Sequence, residues 1–71
     1  MSKAQKRLLE LLVRRGPVTI HEAAVAIGTT VAGISNTRTV CRDMGWIENW
    51  KLWQGPIEIT EAGRQAVAEA R

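Results

Sequence analysis

Cysteine and histidine occur once each in the 71 residues, as Cys41 and His21. One thiol excludes an intrachain disulfide, and one thiol with one imidazole cannot build a zinc site of the usual Cys/His kind from a single chain. A reducing, cytoplasmic setting fits this usage. No stretch approaches the ~20 apolar residues that a membrane span needs. The opening MSKAQKRLLELLVRRG has neither the apolar run nor the small-residue cleavage site of a secretory leader. Catalytic constellations are also lacking. There is no carboxylate pair, no Ser-His-acid arrangement and no phosphate-binding glycine loop, and Cys41 and His21 fall on different expected helices with no third group to orient them. The sequence points away from an enzyme and calls for no cofactor, metal or membrane.

What is present is an ordinary globular composition, 45% apolar and 24% charged, enough for one domain over residues 1–71 with a single small core. The net charge of +3 mildly favours anionic partners.

Ser2 with Gln5 three residues on is a capping-box pattern, and Ala4, Leu8, Leu11 and Leu12 then recur at helical spacing until Gly16-Pro17. Leu9 and Val13 widen the apolar face to one side, for a last helix or a partner to cover. Pro17-Val18 suits a short extended piece. Thr19 with Glu22 opens a second, short helix that ends at Gly28, with Ala23, Ala24 and Ile27 inward. Thr30 caps a third helix from Val31 to about Met44, with Gly45 as its stop. Two helices joined by a tight glycine turn make a helix-turn-helix. Gly33 is read, with Ala24, as a point of close helix approach. Trp46, Ile47 and Trp50, then Pro56, Ile57 and Ile59, predict a hairpin, and Thr60 caps a final helix carrying Ala62, Ala66, Val67 and Ala70. The expected architecture is mainly α with a small β-hairpin.

At 100° per residue the third helix puts Ile34, Thr37, Val40, Cys41 and Met44 on one side, the expected core stripe, with Gly33 at its edge. Ala32, Ser35, Asn36, Arg38, Thr39, Arg42 and Asp43 fall opposite, with Val31 at the margin. A solvated helix would carry Glu and Lys there. Short polar residues with two guanidinium groups suit a DNA major groove instead: Arg pairs with guanine, Asn with adenine, and Ala or Val packs on a thymine methyl. The position of this helix, second in a helix-turn-helix, favours that reading over a merely solvated face.

The hairpin tip NWKLWQGP holds Lys51 and Gln54, read as phosphate contacts. Trp46 is read as core. Trp50 packs on the domain or, with Trp53, serves a protein partner or stacks on nucleic acid. Lys3, Lys6, Arg7 and Arg14 share the outer side of the first helix, either as a solvated face or as a basic path along DNA. Cys41 is expected to be buried and inert, and His21 is an exposed side chain or a phosphate contact.

The run TIHEAAVAIGTTVAGISNTRTVCRDMGWIE followed by IEITEAGRQAV resembles the winged helix-turn-helix of MarR-like and related small bacterial or phage regulators, over roughly Leu8 to Val67. The carrying features are Ala24 at the centre of a capped helix and Arg42-Asp43-Met44-Gly45-Trp46-Ile47 at the end of the next. The run Ile59-Thr60-Glu61-Ala62-Gly63, which closes the wing, is the more specific signal. The sequence departs from the pattern at Cys41, where Leu is usual, at Thr37, polar at an inward position, and in its short wing. The long flanking helices of MarR dimers do not appear in it.

The resemblance implies binding of double-stranded DNA by a small transcriptional regulator, of phage or mobile-element type given its size. Ser35, Arg38, Thr39 and Arg42 are the expected central contacts, flanked by Ala32 and Asn36, with Thr30 and Lys51 on phosphates. A homodimer on a near-palindrome would use Leu9, Val13, Val67 and Ala70. The alternative is a protein-interaction module of the same fold, docking on or inhibiting a larger protein through Trp50, Trp53 and the first helix.

Overall fold

The computed structural model describes residues 1–48 and 55–70. The expectations on Trp50, Lys51, Trp53 and Gln54 lie outside these residues. The order is α1 (Lys3–Arg15), α2 (Ile20–Ile27), α3 (Val31–Asp43), β1 (Ile47–Glu48), β2 (Glu58–Ile59) and α4 (Glu61–Glu69).

Each helix begins where its capping residue dictates. Ser2 and Thr19 form full capping boxes: the Gln5 and Glu22 amides donate to the cap hydroxyls (3.2 and 3.1 Å), and both side chains accept from the cap amides (3.0 Å each). Thr30 and Thr60 cap α3 and α4 from one side only, because the third helical residue is glycine in both cases. The turn between α2 and α3 closes on Ala24, whose carbonyl accepts from the Gly28 and Thr29 amides (2.9 and 3.0 Å), with Gly28 at φ 81°.

The core gathers around α1, which packs on α2, α3, α4 and β2. Four leucines, Leu8, Leu9, Leu11 and Leu12, are buried together, each worth roughly 1.5–3 kcal/mol. This corrects the expected dimer surface. Leu9 and Val67 are 0% and 1% exposed inside the chain, Val13 lies half-buried against the same core, and only Ala70 remains outside. With neighbours around so much of its circumference, α1 needs a broader apolar arc than one stripe. Its first turn escapes this packing, so Ala4 is exposed rather than inward.

The strands pair antiparallel, Ile47 with Ile59 and Glu48 with Glu58. Val18 extends this small sheet by bridging to Ile57 through two backbone hydrogen bonds (3.3 and 2.7 Å). The piece between α1 and α2 is thereby tied to the hairpin.

The ITEAG run works as a lock. The Thr60 hydroxyl accepts from the Gly63 amide (3.0 Å) and donates to the Gly45 carbonyl (2.7 Å), while the Thr60 amide donates to the Trp46 carbonyl (2.9 Å). A Cβ at Gly63 would run into that same Trp46 carbonyl oxygen and come within 2.8 Å of Ile59 Cγ1. Only glycine lets α4 sit this close to the backbone leaving α3.

Candidate nucleic-acid interface

Three residues of α3, Ile34, Arg38 and Cys41, spaced four and three apart, form its buried line. Ile34 and Cys41 are inward as expected; Arg38 is not outward as expected, being only 9% exposed. Its position continues the apolar line between Ile34 and Cys41, where the methylenes of a long cationic side chain can be buried. The correction has a counterpart on the other side. Val40 (42% exposed) and Met44 (57% exposed) were expected in the core and instead face outward.

The physical reason is a rotation of the inward arc. Val31 and Val40 are nine residues apart, which at 100° per residue puts them on opposite sides of the helix, so only one can be inward. Val31 packs against the core, and that choice carries Arg38 in and Val40 out. The spacing itself was legible, but the guanidinium of Arg38 argued for the wrong member of the pair.

The outward surface of α3 therefore has three stripes. The outermost holds Ala32, Asn36 and Asp43, all exposed. One flank holds Ser35, Thr39 and Arg42; the other holds Gly33, Thr37, Val40 and Met44. Thr37 and Thr39 donate their hydroxyl protons to the carbonyls four residues back, Gly33 (3.1 Å) and Ser35 (3.0 Å). These hydroxyls therefore present lone pairs and a methyl outward rather than a free proton. The polarity of Thr37 is satisfied within its own helix.

Arg42 is half-buried, and its Nε and Nη2 both donate to Asp43 Oδ1 (3.1 and 2.9 Å). A solvent-facing pair of this kind, with both nitrogens on one carboxylate oxygen, adds little stability. Thr30, exposed at the start of α3, accepts from the Gly33 amide (3.0 Å) and keeps its hydroxyl proton for another acceptor. The Thr29 and Thr30 hydroxyls also explain Gly33, since a Cβ there would lie 3.0 and 3.3 Å from them. Its close neighbours are thus the turn threonines and not Ala24.

Cys41 is buried, and desolvation pushes its thiol up to about 11, so it stays neutral and unreactive. His21 is exposed in the first turn of α2. Trp46 is half-buried against the core. Among the described residues no group of three or more His, Cys, Asp or Glu side chains could hold a metal ion, and no helix is long and apolar enough to cross a membrane.

No family model and no curated protein sequence matches the chain. Among solved structures, transcriptional regulator Tm0710 from Thermotoga maritima matches with a TM-score of 0.84 at 20% identity, over 96% of this chain and 49% of that one. The chain thus spans about half the length of that protein. Four helices closed by a two-stranded antiparallel wing, superposing on that regulator along nearly the whole chain, give this protein the winged helix-turn-helix fold.

Proposed function

We propose that the chain is a sequence-specific binder of double-stranded DNA acting in transcriptional regulation, with α3 in the major groove. The observation that carries this reading is the composition of the outward surface of α3. Ala32, Asn36 and Thr39 are short enough for bases to approach the backbone, and Arg42 stands at the margin beside Asp43. The fold shared with a transcriptional regulator favours the same use of the second helix of the motif.

Asn36 has the amide geometry to pair with adenine N6 and N7, and Arg42 the fork to pair with guanine O6 and N7. Thr39 supplies an acceptor and a methyl, and Val40 a second apolar surface for a thymine methyl. Arg38 is reassigned from base contact to support. Buried between Ile34 and Cys41, it acts on how α3 is seated rather than on which base is read.

The test is fluorescence anisotropy on a labelled duplex together with selection from randomised duplexes. Asn36→Ala and Arg42→Ala should each cost about 1–3 kcal/mol on the selected sequence and relax preference at one base pair. Arg38→Met should lower the unfolding midpoint while leaving the selected sequence unchanged. Loss of preference with Arg38→Met, and none with the other two, would reverse this assignment. One domain offers few base contacts, so a two-fold site is expected, with a dimer surface other than Leu9 and Val67. Binding that is indifferent to salt would instead favour the protein-docking alternative.

A further inference from the structure

An α-helix is about 10–12 Å across with its side chains, and the major groove is about 12 Å wide. A helix lying in that groove therefore meets phosphates on both of its flanks. On α3 these flanks are unequal. The Ser35–Thr39–Arg42 side carries a guanidinium, whereas the Gly33–Thr37–Val40–Met44 side carries no cation of its own.

The missing charge is supplied from outside the helix. A groove of about 300 Å³ beside the first turns of α3 is lined by Gly33 and Thr37 from α3, Thr29 from the turn, and Lys3 and Arg7 from α1. Lys3 and Arg7 are exposed and four residues apart, so they share one side of α1 and stand one above the other along this groove. No acidic side chain lines it; the acid nearest in sequence, Glu10, lines the adjoining groove with Arg7 and Arg14.

We infer that Lys3 and Arg7 form a phosphate-binding rim for the DNA strand bordering the Gly33–Met44 flank of α3, with the exposed Thr29 hydroxyl as a third donor. The inference rests on the DNA reading above and adds to it the first helix, so that the strand on the Gly33–Met44 flank meets the cations that this flank of α3 lacks. Lys3 and Arg7 contact only backbone, and they set affinity and register rather than base preference. Of the other cations of α1, Lys6 does not line this groove, and Arg14 and Arg15, at the far end of the helix, line grooves that contain no residue of α3.

The experiment is a salt series of anisotropy titrations on one labelled generic duplex, using wild type, Lys3→Ala/Arg7→Ala and Arg14→Ala/Arg15→Ala. Both double variants remove two exposed cations, so the change in net charge is the same. The expected result is that the slope of log affinity against log salt becomes shallower by about 2 in the first variant and stays near wild type in the second. The sequence selected from a randomised pool should not change in either. Equal losses of slope in the two variants would overturn the inference in favour of a diffuse charge effect, as would an unchanged slope in the first. If wild type fails to bind duplex at low salt, the DNA reading itself falls and this rim with it, an outcome distinct from binding that ignores Lys3 and Arg7.

Discussion

Up to Asp43, where α3 ends, the chain carries seven of its ten cationic side chains and three of its seven acidic ones; from Met44 onward come four acids and three cations. The same divide separates the three helices from the hairpin and α4. In the first region polar chemistry points outward, on the face of α3 and the rim of α1. In the second, the best-formed polar contacts point inward, where Thr60 bonds to the backbone of residues 45 and 46. At the base of the wing Glu48 and Glu58 are direct cross-strand partners, a like-charge pairing that costs some stability and repels phosphate. On the proposed reading, the first region touches DNA and the second holds the first in place.

The strongest way to break this division is Gly63→Ala. The added methyl meets the Trp46 carbonyl oxygen and Ile59, so backbone rather than a flexible side chain must move. We expect a loss of about 3 kcal/mol or more, at the upper end for overpacking. For 71 residues, total stability on the order of 4–11 kcal/mol makes that a large fraction. Urea denaturation measures it, and an unchanged midpoint would mean that α4 is not keyed to the end of α3.

Thr60→Val is milder. It removes a helix cap and the bond to the Gly45 carbonyl but keeps the amide bond to Trp46, for an expected loss of about 2 kcal/mol. Salt slope and base preference should stay at wild-type values once the protein is folded. A changed base preference would show that the second region takes part in reading after all.

The smallest effect lies at the start of α2. The Thr19 amide and hydroxyl, in that order of importance, lower the Glu22 carboxyl below the ordinary value for Glu, with minor help from Arg15. A lowered folded-state value means that the contribution is present above the unfolded-state value and is lost as pH falls through the folded one. Glu22→Gln keeps an acceptor for the cap but removes the titration. The acid limb of its stability curve, followed by circular dichroism below about pH 4.5, should be flatter than that of wild type. Identical acid limbs would remove Glu22 from the account.

Much of the fold was legible because the decisive signals are local. Ser2, Thr19, Thr30 and Thr60 start the four helices, and Gly16, Gly28 and Gly45 mark turns with φ near +80°. The face of α3 was legible only in part. Asn36, Thr39 and Ala32 are outward as expected, but the rotation of the helix depended on whether Val31 or Val40 took the core, which is a matter of tertiary packing. An arginine on an apolar line reads as surface until its neighbours are known. Leu9 was ambiguous for the same reason, since sequence spacing records an apolar side chain but not what lies against it. The meeting of Lys3 and Arg7 with the flank of α3 joins residues some thirty apart in sequence, and no local pattern encodes it.

The lock between α4 and the end of α3 recognises carbonyl oxygens, those of Gly45 and Trp46, and no side-chain atom of either residue. The joint therefore reads the backbone path at residues 45 and 46, while the Trp46 side chain serves the packing of the core. Thr60 and Gly63 make that joint, one through its hydroxyl and the other through the side chain it lacks. The angle between α3 and α4 is thus held by two small residues, neither of which belongs to α3.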